Sequence, residues 1–243
     1  MSQPKALVIG ASRGIGQGLV QKLGREGYEA FGTIRSKPAD DHTFQVDLND
    51  LDASSVQKAA SQFDSLDVLI VSGAIADEGS YLGLTPDKHR AFYNTNVVGP
   101  LTAAQAFLPA LRKGQQKTIV FITSALGTLS LHLDNSKRPA NQRLPVPEGP
   151  YSATKAAINL LGTGLYTELS EEGFSVLLIH PGLVRTDLAN ELIERLEKLP
   201  SNPIPAITVD QSTDGILKVI KSHIDGGKSE VRHLNYDGTE LNH

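Results

Sequence analysis

Short apolar runs alternate with amphipathic stretches along most of the chain, and this alternation constrains the fold more than any other feature. Runs such as 67–71 and 118–123 are almost continuously apolar, which is typical of strands buried on both faces. The stretches between them carry apolar residues at helical spacing. Strands that alternate with helices in this way build a parallel sheet with crossover helices. The sequence therefore predicts an α/β fold, with a doubly wound parallel sheet and helices on both faces.

The pattern predicts seven strands, and a helix that begins near Ile15 and ends at Gly27 follows the first of them. The strands are predicted at 6–9, 29–34, 43–46, 67–71, 118–123, 174–180 and 231–234. Further helices are predicted at 52–63, 86–112, 151–171 and 209–222. The alternation of strands and helices is interrupted by two segments, 128–149 and 183–207. Long loops of this kind in compact domains often have a function. The second contains ELIERLEK, which we interpret as a solvated helix.

Length and composition exclude several classes of protein. The 243 residues suit one domain, 1–243, and carry 23 Lys and Arg against 27 Asp and Glu, a net charge of −4. This mild acidity, without a basic cluster, argues against a nucleic-acid partner. With no Cys, the chain has no disulfide framework, zinc finger, iron–sulfur cluster or thiol nucleophile. The seven His have no metal-ligand spacing, so we expect no metal site.

Targeting and membrane signals are also missing from the sequence. The chain passes from MSQPK directly into a short apolar run, without the pattern of a signal peptide. Its apolar runs are far shorter than the roughly 20 residues that span a bilayer. We therefore expect a cytoplasmic protein with no membrane partner.

A glycine-rich turn joins the first strand to the first helix. KALVIG leads into GASRGIG, where Gly10, Gly14 and Gly16 have the spacing GxxxGxG and Ser12 lies between them. Glycine allows a close backbone approach, and the N–H groups of a helix N-terminus attract a pyrophosphate. In this strand–turn–helix context the motif predicts a dinucleotide site of the Rossmann type. The alternative is a tight turn that binds no ligand.

The end of the second strand bears on which dinucleotide binds. It reads FGTIRSK, so Arg35 stands where a carboxylate would receive the ribose hydroxyls of NAD(H), and no Asp or Glu adjoins it. Arg13 lies in the glycine turn. Two guanidiniums match a 2′-phosphate, so the sequence predicts NADP(H) in preference to NAD(H). The alternative is that both are ordinary surface arginines.

A tyrosine and a lysine one helical turn apart suggest proton chemistry. Tyr151 and Lys155 in YSATK share a helix face, so an ammonium near the phenol would favour its ionised form. Ser124 ends the apolar strand IVFITS, where its hydroxyl reaches the edge at which parallel sheets bind ligands. These three side chains are the candidate catalytic group.

Together these motifs resemble the short-chain dehydrogenase/reductase family across nearly the whole chain. Asn96 in NTNVVGP resembles the Asn of the family's middle helix, and HPGLVRTD resembles its PGxVxT segment near the nicotinamide. Asp47 and Leu48 match the pair that contacts adenine. The resemblance assigns catalysis to Asn96, Ser124, Tyr151 and Lys155. It places against the cofactor Gly10, Ser12, Arg13, Gly14, Ile15, Gly16, Arg35, Asp47, Leu48, Ser72, Gly73, Ala74, Asn96, Tyr151, Lys155, Pro181, Gly182, Val184 and Thr186.

Two departures from the family pattern concern the surroundings of the site. VSGA at 71–74 replaces the usual NNAG, so the side-chain contacts of those Asn are missing. Ser124 and Tyr151 are 27 positions apart, a longer separation than in most relatives. Insertions at this point, together with NYDGTEL at 235–241, resemble the carbonyl-reductase-like branch with its sniffer-like and C-factor-like members. We expect 128–149 and 183–207 to form the substrate pocket.

The resemblance implies NADPH-dependent reduction of a ketone or aldehyde. Tyr151 would donate the proton, Ser124 would hydrogen-bond the same oxygen, and Lys155 would lower the Tyr151 pKa and bind the nicotinamide ribose. Asn96 would help to hold a water that leads to Lys155.

Other functions of the same fold stay open. They are an NADP-linked alcohol dehydrogenase, another step such as double-bond reduction or cyclisation, and a regulatory protein that binds NADP without catalysis. The partner is then a small carbonyl or alcohol substrate. Family members also suggest a homodimer or homotetramer formed through the helices at 86–112 and 151–171.

Overall fold

Seven parallel strands form one sheet in the computed structural model, which describes residues 3–36, 40–50, 52–76, 81–145, 149–199 and 204–241. The strand order β3-β2-β1-β4-β5-β6-β7 confirms the predicted doubly wound fold class. Each predicted strand is present with bounds within one residue. The strands are β1 Lys5–Ile9, β2 Glu29–Ile34, β3 Thr43–Gln45, β4 Val68–Val71, β5 Thr118–Ile122, β6 Ser175–His180 and β7 Val231–Asn235.

Helices cover both faces of this sheet, and two apolar layers form the core. One layer packs residues such as Leu69 of the sheet against Phe107 and Ile158, and the other packs Val8 against Ile216. The strands β1, β4, β5 and β6 are almost entirely buried by these layers, which explains their nearly continuous apolar runs. The helices are α1 Gly14–Arg25, α2 Ser54–Ala60, α3 Pro86–Tyr93, α4 Gly99–Lys113, α5 Leu129–Lys137, α6 Pro150–Leu169, α7 Asn190–Glu197 and α8 Val209–Gly226.

The position of the site follows from the strand order. β1 pairs with β2 on one side and with β4 on the other, so the chain winds in opposite directions from β1. Such a reversal opens a crevice beyond the carboxyl ends of the central strands, where open α/β sheets bind ligands. The loops after β1, β4, β5 and β6 all begin at this edge.

Three predicted segments differ in detail from the structure. The helix predicted at 86–112 consists of α3 and α4 joined by a wider π-helical turn, Asn94–Val98. The loop at 128–149 contains α5 and a short turn at Ala140–Gln142. ELIERLEK is helical in α7, but Ile193 and Leu196 are buried, so this helix is solvated on one face only. Residues 146–148 and 200–203 of these segments lie outside the described residues.

Candidate active site

Ser124 and Tyr151 meet at the carboxyl edge of the sheet. Ser124 lies two residues after the end of β5 and is buried, and its Oγ accepts a hydrogen bond from the Leu126 N–H at 3.2 Å. Tyr151 lies in the first turn of α6, with its phenol near enough to the Ser124 hydroxyl for the two groups to interact. The intervening segment that contains α5 loops out from this edge. The two residues are therefore brought together despite their 27-position separation.

Lys155 lies one turn further along α6 and is buried below Tyr151. Its Nζ donates a hydrogen bond to the Ile122 carbonyl at 2.8 Å and lies 5.6 Å from the centroid of the Tyr151 ring. An ammonium has three N–H donors, and Ile122 is the partner that the described residues show for it. The other two N–H donors of the Lys155 ammonium are available to a ligand.

Burial controls the ionisation of both side chains. It raises the pKa of Tyr151 to about 12, because a phenolate is poorly solvated there, and the Ser124 hydrogen bond partly opposes this effect. It lowers the pKa of Lys155 to about 8, because the ammonium is poorly solvated as well. The shift of the Tyr151 pKa is thus opposite in direction to the effect expected from Lys155. At neutral pH Tyr151 holds its proton.

Asn96 is buried in the π-helical turn between α3 and α4. Its Oδ1 accepts from the Ile75 N–H at 2.9 Å, and its Nδ2 donates to the Ile75 carbonyl at 2.8 Å and to the Thr154 hydroxyl at 3.1 Å. The Thr154 hydroxyl in turn donates to the Tyr151 carbonyl at 2.7 Å. Asn96 therefore ties the loop after β4 to the first turn of α6. Thr154 was not identified from the sequence, although its place between Tyr151 and Lys155 was a signal.

The glycine turn is closed by backbone contacts. Gly10 has a φ of +87°, and a Cβ there would lie 2.5 Å from the Cα of Gly73. A Cβ on Gly16 would lie 2.1 Å from the Gly10 carbonyl oxygen. Glycine at 10 thus allows the close approach of the β1 and β4 loops. The departure from NNAG leaves this backbone arrangement in place.

The N-terminus of α1 fits an anion. Its N-cap residue Arg13 makes no side-chain capping bond, and the first turn contains no acidic residue. Thr85 caps α3 and Thr208 caps α8, whereas the other helices that are described also have no side-chain cap. The first N–H groups of α1 are therefore not blocked by a side-chain cap and face the crevice, as a pyrophosphate would require. Ser12 is exposed in this turn, and Ile15 packs against the core layer under α1.

The adenine end of the candidate site lies at the loop after β3. Asp47 is exposed, and its Oδ1 accepts from the Asn49 N–H at 2.9 Å. Leu48 is buried and packs closely against Gly99. A cavity of about 50 Å³ lies between this loop and α4. Arg35 is exposed at the end of β2, and residues 37–39 after it lie outside the described residues.

The segment after β4 is held to β1 by its backbone. The N–H groups of Ser72 and Gly73 both donate to the Ile9 carbonyl, at 2.9 and 3.0 Å. Ala74 follows them and is half-buried. Main-chain bonds therefore hold Ser72 and Gly73 at the end of β1, where the side chains of the missing NNAG asparagines are not needed.

The segment 181–187 lies across the crevice from the glycine turn. The Pro181 carbonyl accepts from the buried Ser212 hydroxyl at 2.7 Å, and Gly182 has a φ of +85°. Val184 pairs with Ile207 in a short bridge, and Thr186 lies against Gly14. The next residue, Asp187, forms an ion pair with Arg13 at 2.7 Å. This pairing of Arg13 was not identified from the sequence.

The residues that the structure describes contain no group of three or more His, Asp or Glu side chains placed to hold a metal ion. None of the helices that are described is long and apolar enough to cross a membrane.

Comparison with known proteins identifies the family. The model of the short chain dehydrogenase family matches residues 4–136 and 140–197. A Schizosaccharomyces pombe protein named an uncharacterized oxidoreductase is 33% identical over 257 residues, which cover 96% of each chain. The chain therefore belongs to the short chain dehydrogenase family and is an oxidoreductase.

Solved structures place it near particular members. The NADPH-bound carbonyl reductase from chicken fatty liver is 26% identical, with a TM-score of 0.77 and full coverage of both chains. The carbonyl reductase Sniffer of Drosophila melanogaster shares the fold, with a TM-score of 0.76, 23% identity and full coverage of both chains. The resemblance to the carbonyl-reductase-like branch is thus confirmed.

Proposed function

We propose that this chain is an NADPH-dependent carbonyl reductase that reduces a ketone or an aldehyde to an alcohol. The observation that carries the proposal is that Ser124 and Tyr151 lie next to each other at the sheet edge, with the buried Lys155 one helical turn below Tyr151. The similarity to the NADPH-bound chicken carbonyl reductase supports the same function.

The residues around the crevice fit a nicotinamide dinucleotide. The uncapped N-terminus of α1 would hold the pyrophosphate, and Asp47 and Leu48 would contact the adenine. Lys155 would donate to the nicotinamide ribose hydroxyls, and the segment 181–186 would lie against the nicotinamide. When bound, NADPH supplies the hydride that reduces the carbonyl carbon.

Arg13 and Arg35 would bind the 2′-phosphate and so select NADPH over NADH. Arg35 is exposed at the end of β2, and no Asp or Glu adjoins it. Replacing it in Arg35→Asp is expected to weaken NADPH binding and to leave or improve NADH binding. Measuring KM for both cofactors in the two proteins tests this preference, and an unchanged ratio would remove Arg35 from the proposal.

Tyr151 would donate the proton to the oxygen of the reduced carbonyl. Its pKa of about 12 keeps the phenol protonated at neutral pH, as a proton donor requires. Ser124 would hydrogen-bond the same oxygen and hold it near Tyr151. Lys155, with a pKa of about 8, can hold or release a proton near neutral pH and would resupply Tyr151, with Asn96 holding a water on this route.

The substrate would bind between the two inserted segments. Leu129 and Leu133 lie one turn apart on α5 and are 70% and 49% exposed, and Leu188 before α7 is 45% exposed. Such apolar surface on segments next to a catalytic edge suits a hydrophobic ligand. We therefore expect a carbonyl compound with an apolar substituent.

Self-association would use the helical faces that the family resemblance indicates. Val98 in the π-helical turn and Leu160 on α6 are 53% and 75% exposed. Large exposed apolar residues on helices often mark a contact with another chain. Light scattering of the purified protein would give its mass in solution, and a monomer at all concentrations would contradict this part of the proposal.

The reaction is tested by following NADPH oxidation with a panel of ketones, aldehydes and diketones. Tyr151→Phe removes the proton donor, so turnover should fall by about 100-fold or more. Tyr166→Phe, on the same helix, removes a hydroxyl that donates to the Ser229 carbonyl and should leave turnover unchanged. Near-normal reduction by Tyr151→Phe would overturn the mechanism. Binding of NADPH without turnover of any substrate would favour a regulatory protein instead.

A further inference from the structure

The C-terminal turn, residues 235–241, is folded tightly at the end of β7. The Asn235 N–H donates to the Thr239 carbonyl at 2.8 Å, and Asp237 Oδ1 accepts from the N–H and the hydroxyl of Thr239. The Leu241 N–H donates a hydrogen bond to the His233 carbonyl at 3.0 Å. These bonds fix the turn in one conformation and hold Tyr236 over the end of β6. None of the steps proposed above uses this segment.

The ring of Tyr236 lies between two glycines from different elements. A Cβ on Gly182 would lie 3.2 Å from Cδ1 and Cε1 of the ring. A Cβ on Gly215, in the middle of α8, would lie 2.7 Å from Cδ2 and 2.5 Å from the Tyr236 carbonyl oxygen. One edge of the ring thus faces Gly182 and the other faces Gly215. Contacts this close leave no room for a side chain at either position.

Glycine at position 215 lowers the stability of helix α8. Glycine inside a helix is less favourable than alanine by about 1 kcal/mol, because the unfolded chain loses more conformational freedom. The close approach of Tyr236 to α8 supplies a structural reason for it. The helix therefore forms a fixed surface against which the ring rests.

The Pro181–Gly182 turn is held from behind at both residues. Ser212 on α8 donates to the Pro181 carbonyl at 2.7 Å, and the Tyr236 ring lies against Gly182. Gly182 adopts a left-handed φ of +85°, so the direction of the chain changes sharply at this point. The position of Gly182 consequently sets where Val184 and Thr186 enter the crevice.

We propose that Tyr236 is a positioning residue for the nicotinamide end of the cofactor site. Its ring acts as a spacer between α8 and Gly182, and so fixes how far the segment 182–186 projects toward the crevice. The inference rests on the proposed function, because that function assigns this segment to the nicotinamide. Removal of the ring leaves a cavity behind Gly182 into which the turn can retreat.

The test compares two ligands that differ at the nicotinamide end. Calorimetric titration with NADPH and with adenosine 2′,5′-bisphosphate, which lacks the nicotinamide, is carried out on the wild type, Tyr236→Ala and Tyr236→Phe. Tyr236→Ala should bind NADPH about tenfold more weakly and bind the bisphosphate as the wild type does. Its kcat should fall by up to about 100-fold, since small displacements of a reacting group are costly. Tyr236→Phe keeps the ring and should match the wild type.

A purely structural role gives a different result. If Tyr236 only anchors the C-terminal turn, Tyr236→Ala will lose affinity for both ligands equally or for neither, and each result would overturn the inference. Failure of the wild type to bind NADPH would overturn the proposed function and this inference with it. Equal NADPH affinities in the wild type and Tyr236→Ala would overturn the inference alone.

A second variant approaches the same contact from α8. Gly215→Ala adds a Cβ that must displace both the carbonyl and the ring of Tyr236, while it favours the helix itself. It should reproduce the selective loss of NADPH affinity even where Tyr236→Ala folds poorly. Gly226→Ala is the matched control on α8, because nothing lies within 4 Å of its added Cβ. Wild-type affinities in Gly215→Ala would contradict the proposal.

Discussion

The amide of Asn96 donates to the hydroxyl of Thr154 at 3.1 Å across 58 positions of sequence. Both side chains are buried, and the Thr154 hydroxyl in turn donates a hydrogen bond to the Tyr151 carbonyl at 2.7 Å. The first turn of α6 is therefore held by a side-chain bond from the π-helical turn. This contact adds a side-chain tie to a carbonyl that also belongs to the hydrogen-bond ladder of α6, and so links the position of Tyr151 to Asn96.

Removing the Thr154 hydroxyl should disturb both stability and catalysis. Thr154→Val keeps the shape of the side chain but leaves a buried N–H of Asn96 unsatisfied, so the free energy of unfolding should fall by about 1–3 kcal/mol. The kcat for carbonyl reduction should fall while KM for NADPH stays the same. Thr154→Ser retains the hydroxyl and should recover most of both. Urea denaturation and steady-state kinetics check this, and a valine variant as active as the serine variant would refute it.

The ion pair between Arg13 and Asp187 should compete with the cofactor. Both side chains are about 70% exposed, and an exposed pair contributes only about 0.2–1 kcal/mol. If Arg13 binds the 2′-phosphate, it must leave Asp187, so Asp187→Asn should strengthen NADPH binding by up to about fivefold. NADH, which lacks the 2′-phosphate, should bind as before. Titration with the two cofactors measures the ratio, and weaker NADPH binding in Asp187→Asn would place Arg13 elsewhere.

Two glycines near the first helix should respond in opposite ways to alanine. Gly10→Ala places a Cβ 2.5 Å from the Gly73 backbone at a φ of +87°, so it should destabilise the fold by several kcal/mol or prevent folding. Gly24→Ala, in α1, meets nothing within 4 Å and should stabilise the protein by about 0.5–1 kcal/mol. Thermal melts of the two variants test the pair. A stable, folded Gly10→Ala protein would show that the β1 and β4 loops can separate.

The sheet could be predicted from the sequence because its signals are local. Strands buried on both faces are continuous apolar runs, and helices that pack on one face carry their apolar residues at helical spacing. ELIERLEK was predicted to be a solvated helix, so the helix of α7 was expected but the burial of Ile193 and Leu196 was not. α5 has no such pattern, since Leu129 and Leu133 are exposed and Asn135 is its buried residue.

α5 is instead held by hydrogen bonds to backbone groups outside the helix, and no local sequence pattern predicts such bonds. Asn135 exchanges two hydrogen bonds with the Leu144 backbone, at 2.8 and 3.1 Å, and His132 contacts the Leu126 carbonyl at 2.8 Å. The same limit applies to the site. Ser124, Tyr151 and Lys155 could be predicted from residue types and spacing. Thr154 could not, because its role depends on a partner brought near only by the fold.

Burial of Lys155 should make the stability of the protein depend on pH. Its pKa falls from an ordinary value of 10.5 to about 8 in the folded protein, because the ammonium is removed from water. Between these two values the unfolded chain binds more protons at this residue than the folded chain does. The free energy of unfolding therefore rises as the pH increases from about 8 to about 10.5, and the full cost of burial is present below pH 8.

Lys155→Met removes the buried charge, so it should raise the free energy of unfolding at neutral pH. One unit of pKa corresponds to about 1.4 kcal/mol, and the lost hydrogen bond to Ile122 offsets part of the gain, so the variant should be about 2–3 kcal/mol more stable at neutral pH. The difference should shrink toward zero as the pH approaches 10.5, while carbonyl reduction is lost. Lys58→Met changes an exposed lysine of α2, and its stability difference should stay constant. Urea denaturation across this pH range measures both variants. A Lys155→Met protein less stable than the wild type at neutral pH would mean that the ammonium stabilises the fold, and that its burial is not a cost accepted for catalysis.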